Sequence, residues 1–339
     1  MKADATTTIP VSLAAADARS AFAIWSDLVK ARLTMLVVLT TLAGFYAGVE
    51  GATDWVLLAN ALLGTALVAC GAAALNQWWE REHDAKMPRT ESRPIPAQEL
   101  SAETVLVAGG VLSIAGLIHL AMFVNPLTSL LGAVTLLSYV LVYTPLKRVT
   151  TLNTAIGAIP GALPPLMGWT AARDSVSLEG WALFAILFFW QLPHFFAIAW
   201  IYKDEYAKAG FKMLPAVDPD GRRTAQQAVS NTLALLMVSL FPFIFKMAGT
   251  IYLVGAIILG VGFLWGAIQF SRQLTLARAR HLFFASIIYL PLLLGLAFLW
   301  CASHFSRDLT RARARRLFFA SILYLPLLLG LMALDKVRH

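Results

Sequence analysis

Three oxygen-bearing side chains, Asn76, Glu80 and Asp84, stand at i, i+4 and i+8 where a long apolar run ends in charged residues. In a helix each is turned only about 40° from the one before, so the three form a single polar stripe. Mg²⁺ keeps few protein ligands and shares the oxygens of a phosphate, which makes this stripe a candidate metal site for a bound diphosphate. The same spacing also describes an ordinary charged helix end at an interface. The next residues weigh on the choice: Lys86, Arg89 and Arg93 follow at once in a loop stiffened by Pro88 and Pro94. Guanidinium groups clamp phosphate oxygens bidentately, so carboxylates, metal and arginines together describe a diphosphate site better than any one of them.

Further cations lie downstream. Tyr143 and Lys147 are four apart in YTPLKR and share a direction if the helical turn continues past Pro145. The segment 202–224 carries Lys203, Asp204, Glu205, Tyr206, Lys208 and Lys212, then Asp218, Asp220, Arg222 and Arg223. It offers phosphate donors and a second metal ligand, or is simply a solvated loop. Gln191 and His194, in WQLPHFF, sit inside an otherwise apolar run kinked by Pro193. Polar groups at membrane depth are costly and are functional candidates, with His194 placed to meet a metal-containing substrate or to be satisfied by a neighbouring helix.

These residues must be positioned by a membrane protein. Of 339 residues, 59% are hydrophobic and 14% charged, with a mean hydropathy of +0.70. In hydrocarbon the backbone must satisfy itself, and long unbroken apolar runs select helices over a barrel. Such runs fall near 33–50, 55–79, 103–123, 127–145, 152–170, 180–202, 226–248, 251–270, 282–302 and 317–334. The expected fold is therefore all-α, a polytopic membrane helix bundle. With the N-terminus in the cytoplasm, eighteen Lys and Arg fall in cytoplasmic segments up to residue 281, against Arg173 and Lys246 outside. The net charge of +8 thus reads as topology and headgroup or phosphate binding, not nucleic acid. Cys70 and Cys301 lie in apolar runs and carry no disulfide or metal spacing. No secretion signal or Arg-rich transit peptide is evident in the first thirty residues.

The C-terminal third repeats itself: Ser271–Leu296 recurs as Ser306–Leu331 with four differences in 26 positions. If all ten runs spanned, Arg307, Arg311, Arg313, Arg315 and Arg316 would lie outside, against the topology rule. Nine functional spans and one supernumerary copy are expected, in three parts. These are a cytoplasmic segment 1–30, a transmembrane domain 31–300 and a duplicated last-helix segment 301–339, a possible tenth span.

The stretch NQWWEREHDAKMPRTESRP (76–94), with YTPLKR (143–148), NTAIGAIPGALPPLMGW (153–169), WQLPHFF (190–196) and KDEYAKAGFKMLP (203–215), resembles the UbiA superfamily of intramembrane prenyltransferases. Within it, the match is to the branch that farnesylates haem, over roughly residues 28–296. The resemblance implies nine transmembrane helices around a lipid-open cavity, capped by acidic loops on the cytoplasmic face. It implies that haem B and farnesyl diphosphate are joined to give haem O and diphosphate. By position, Asn76, Glu80 and Asp84 would bind Mg²⁺ and diphosphate, with Glu80 where many members have Asp. Tyr143 and Lys147 match a Y-x-x-x-K element, and Lys203, Asp204 and Tyr206 a second motif. Lys86, Arg89, Arg93, Gln191 and His194 are the expected substrate contacts. Trp78, Trp79, Tyr143 and Tyr206 are the aromatic faces available to an allylic cation. A hand-off to haem A synthase or terminal oxidase assembly factors is also implied, while the short, basic-poor N-terminus favours a bacterial inner membrane over a mitochondrial import substrate. Two other readings stand beside this one. A prenyltransferase for an aromatic quinone precursor would be expected to carry a full second D-x-x-x-D motif. A multi-span transporter would leave the acids and arginines of two same-side loops unexplained.

Overall fold

The computed structural model describes residues 19–305, the side chains of 298–305 apart. The duplicated run near 317–334, and most of the segment 301–339, lie outside the described residues. Short α1 (Ala21–Leu28) leads into α2 (Ala31–Gly48), α3 (Trp55–Asp84), α4 (Ala102–Phe123), α5 (Pro126–Leu146), α6 (Asn153–Arg173) and α7 (Leu178–Ile201). Then come short α8 (Lys203–Lys208), α9 (Arg222–Ile244), α10 (Thr250–Arg272) and α11 (Leu276–Phe305). Among the described residues there is no strand, and eight helices are long and apolar enough to cross a membrane.

The ninth long helix, α6, falls on an expected span but is not built like a lipid-facing one. Every residue from Ala162 to Ala171 is buried, and Pro160, Pro164 and Pro165 interrupt its hydrogen-bond ladder. Such breaks are tolerated in a membrane only where protein surrounds them. α6 is accordingly the central helix, flanked by α2, α5 and α7. Its crossing with α2 is backbone on backbone. A Cβ at Gly44 would sit 1.9 Å from the Pro165 carbonyl oxygen, and one at Gly168 would sit 1.9 Å from that of Thr41. Small residues at a helix crossing allow this approach, and in lipid such packing is the main attraction between helices.

Three of the long helices have a side-chain cap at their start. Asp54 caps α3 by accepting from the Val56 and Leu57 amides, Ser101 caps α4 through Thr104, and Asn125 caps α5 through Thr128 with Pro126 at the first turn. α5 widens into a π turn over Ser138–Tyr143 ahead of Pro145, and the Lys147 amide still reaches the Tyr143 carbonyl at 3.2 Å. The turn does continue past the proline, so Tyr143 and Lys147 keep a common direction.

Candidate active site at one end of the bundle

Asn76, Glu80 and Asp84 occupy the last turns of α3, and all three are buried. Each oxygen side chain has its own cation. Lys30 Nζ donates to Asn76 Oδ1 at 2.7 Å, Lys147 Nζ pairs with Glu80 Oε1 at 2.8 Å, and Arg93 Nη1 pairs with Asp84 Oδ2 at 2.6 Å. Asn76 Nδ2 in turn donates to Thr144 Oγ1 at 3.1 Å, which fixes the amide's orientation between α2 and α5. Lys147, Arg93 and the nearby Arg89, with Lys30 beside them, outnumber the two carboxylates, the electrostatics of a site built for an anion.

The loop after α3 makes this possible. Thr90 Oγ1 donates to the Asp84 carbonyl at 2.8 Å, folding the chain back so that Arg93 returns to the Asp84 carboxylate. Met87 is buried with Ala199, Ala209, Phe211 and Met213, which anchors that loop to the segment after α7. A third loop is stitched in by the Lys212 amide donating to the Lys147 carbonyl at 2.8 Å, and by Asn153 Nδ2 donating to the Lys212 carbonyl at 2.9 Å. Between them lies a polar cavity of about 70 Å³ lined by Glu80, Asp84, Arg89, Arg93, Tyr143, Lys147 and Tyr206, among others. Arg89 Nη2 donates to the Tyr206 hydroxyl at 3.0 Å, and its guanidinium lies over the Tyr202 and Tyr206 rings at 5.3 and 5.5 Å. Lys147 Nζ lies 4.6 Å from the Tyr143 ring centre.

Burial opposes the Lys147 charge, but the Glu80 carboxylate, with the Tyr143 and Tyr139 hydroxyls, holds its ammonium above the ordinary lysine range. Among the described residues Lys30 has no carboxylate in hydrogen-bonding contact. Burial, with Arg93 and Lys147 nearby, pulls it down to about 7. Its backbone is also unusual, a left-handed turn at φ 48° between α1 and α2. That conformation costs about 1–3 kcal/mol and persists where the surroundings impose it. Here α1 lies across α3, with Leu28 buried beside Ala74 and Val105, and Gln77 Nε2 donates to the Asp27 and Leu28 carbonyls.

A profile of the UbiA prenyltransferase family matches residues 37–288 of the chain. The chain belongs to the UbiA prenyltransferase family. Among its relatives, the protoheme IX farnesyltransferase of Solibacter usitatus is 48% identical over 276 residues, spanning 79% of this chain and 94% of that protein. That of Sorangium cellulosum is 49% identical over 254 residues, 74% of this chain and 90% of that one. The fold agrees with solved structures. A digeranylgeranylglyceryl phosphate synthase superposes with a TM-score of 0.72 at 16% identity, covering 83% of this chain and 98% of that one. A UbiA homologue from Archaeoglobus fulgidus bound to DMAPP and Mg²⁺ gives 0.57 at 14% identity, with 81% and 99% covered.

In this UbiA prenyltransferase not every residue singled out from sequence reaches the cavity. Lys86 is exposed and does not line it. Asp204 is exposed, and Lys203 lies over the Trp200 ring at 4.6 Å. Asp218 accepts from the Thr224 amide and hydroxyl, both at 2.8 Å, and so serves the start of α9. Gln191 is buried and donates to the Leu187 and Ala158 carbonyls at 3.1 and 3.4 Å, while His194 faces α11. Trp78 and Trp79 pack edge-to-face against each other, which leaves Tyr143 and Tyr206 as the aromatic faces of the cavity. Lys30, counted from sequence only as a topology charge, is the residue that the structure adds.

The donor set suits Mg²⁺. Two carboxylates and an amide share one helix face, all hard oxygen ligands. Among the described residues no group of three or more His, Cys, Asp or Glu could hold a metal. A set of three oxygen ligands on one face leaves the rest of an ion's shell to substrate oxygens or water.

Proposed function

We propose that the protein transfers the farnesyl group of farnesyl diphosphate to a vinyl group of haem B, giving haem O. The observation that carries this reading is the triple pairing at the end of α3, where Lys30, Lys147 and Arg93 each hold an oxygen ligand that a metal would take. Similarity to the protoheme IX farnesyltransferases supports haem as the acceptor.

In this mechanism Asn76, Glu80 and Asp84 would hold Mg²⁺. The ion, when bound, neutralises charge on the diphosphate. Lys147, Arg93 and Lys30, with Arg89 beside them, are the cations that would bind the phosphate oxygens. The allylic C–O bond breaks with its electron pair leaving on the diphosphate, and these fixed cations stabilise that developing charge. The faces of Tyr143 and Tyr206 stand beside the allylic cation, and the apolar bundle excludes bulk water. The vinyl carbon then forms the new C–C bond, and the cation left beside the ring takes the oxygen of a water, which loses a proton to leave a hydroxyl. In this reading the site end faces the cytoplasm at a bacterial inner membrane, and the eighteen same-side cations support that orientation. The product then passes to a haem A synthase or a terminal oxidase assembly factor.

The test is to incubate membranes containing the protein with haem B, farnesyl diphosphate and Mg²⁺, and to examine the extracted haems by mass spectrometry. A hydroxyethylfarnesyl haem that requires Mg²⁺ and is lost in Asp84→Asn is expected. Absence of any prenylated haem from folded protein overturns the reading.

A further inference from the structure

Gly157 lies one turn into α6, and the space its side chain would fill is taken by a ring from another helix. A Cβ there would sit 2.4, 2.6 and 2.9 Å from Cε2, Cδ2 and Cζ of Tyr143. Non-bonded carbons settle at about 3.5–4.0 Å, so any side chain at this position would push the ring away. Glycine inside a helix is less favourable than alanine, and what it gains here is the approach of that ring to the α6 backbone.

Tyr143 is brought there by its own helix. It closes the π turn Ser138–Tyr143 of α5, and such turns inside α-helices are rare and gather at functional sites. The Thr144 hydroxyl donates to the Tyr139 carbonyl at 2.8 Å, which holds the widened turn. The Tyr139 and Tyr143 rings then lie 5.6 Å apart along α5. Tyr139 packs against the apolar cluster of Val68, Leu136, Val140 and Met167, whereas Tyr143 lines the polar cavity, with Lys147 Nζ 4.6 Å from its ring centre. Tyr143 thus stands at the border between the polar cavity and the apolar layer, with the backbone of α6 behind it.

We propose that Gly157 is a positioning residue: it seats the Tyr143 ring against α6, and the seated ring keeps water from the farnesyl cation until the acceptor attacks. This rests on the prenyl-transfer reading of the site. Once the allylic C–O bond has broken, two captures compete. The acceptor carbon forms the productive C–C bond. Water instead forms a C–O bond and loses a proton, giving farnesol beside the free diphosphate. A methyl group at residue 157 meets side chain and not backbone, so the ring is displaced while the helices stay in place. The Lys30–Asn76 and Arg93–Asp84 contacts do not involve this ring, so farnesyl diphosphate still binds and only the fate of its cation changes.

Purified protein in lipid nanodiscs is given farnesyl diphosphate and Mg²⁺, with and without haem B, and farnesol and farnesylated product are both quantified. In Gly157→Ala the farnesol share is expected to rise about fivefold or more, with the KM for farnesyl diphosphate within about threefold of wild type. Tyr143→Leu should show the same rise, and Gly157→Ala should add nothing to it, because the methyl group then meets no ring. A Gly157→Ala protein that folds poorly should fold normally once Tyr143→Leu is added, and failure to do so counts against the seat. Gly168→Ala, on the same helix but at the α2 crossing, is the packing control and should lose thermal stability with the farnesol share unchanged. A wild-type farnesol share in Gly157→Ala, or a double variant in which the two effects multiply, overturns the inference. Farnesol release without acceptor should also rise in Gly157→Ala, whatever the acceptor is, and no rise there overturns the inference even if haem is farnesylated. Absence of farnesylated haem from the wild-type protein overturns the reaction instead.

Discussion

Replacing Lys147 by Met separates what this residue does for the fold from what it does for the reaction. The side chains of Lys147 and Glu80 are 16% and 8% exposed and lie 2.8 Å apart. Removing one partner of a buried pair leaves an uncompensated charge and costs about 3–5 kcal/mol. The double variant Lys147→Met/Glu80→Met removes the orphaned carboxylate as well, and most of that loss is expected to return. Turnover behaves differently. Withdrawing one fixed cation from a developing charge costs about 10²–10³-fold. The double variant recovers none of it, because it also lacks a metal ligand. The assays are thermal unfolding in detergent, followed by the monodisperse fraction, and haem farnesylation at saturating substrate. A double variant turning over within about threefold of wild type would refute the reasoning. So would a single variant as stable as wild type.

Lys203→Ala and Asp204→Ala should each lower turnover by less than about threefold, since neither side chain lines the cavity and the Lys203 contact is with the Trp200 ring outside it; Arg93→Ala, measured beside them, should fall by about 10² or more. Gly168→Ala places a methyl group 1.9 Å from the Thr41 carbonyl and is expected to cost about 1–3 kcal/mol of stability, read as an earlier loss of monodisperse protein on heating. Truncation after residue 305, which removes the second copy of the repeat, should leave haem farnesylation unchanged, because the nine long helices are complete by then. A truncated protein that no longer folds would show that the second copy is the one the bundle uses.

What local periodicity controls was open to reading. Asn76, Glu80 and Asp84 share a face because 3.6 residues per turn brings i+4 and i+8 round together, and Tyr143 and Lys147 share theirs for the same reason. The nine long helices among the described residues follow from apolar runs of sufficient length. Lys30 was not legible, because its role depends on α1 lying over α3 and on a left-handed turn that tertiary contacts impose. Asp218 looks like a ligand in a charge-rich loop, and only the three-dimensional path shows it turned to Thr224. In the same loop, hydropathy cannot say which faces of a short helix meet a cavity, and Lys203 and Asp204 turned away from it while Tyr206 turned in. α6 read as one span among equals because composition reports apolarity, not which helix sits in the middle.

The most direct test offers purified protein, with Mg²⁺ and farnesyl diphosphate, an equal mixture of haem B and an aromatic quinone precursor, and identifies every farnesylated product by mass spectrometry. Farnesyl carried by haem alone, with one hydroxyl added from water, is the predicted result. Farnesyl carried by the quinone precursor, with haem returned unchanged, would contradict it.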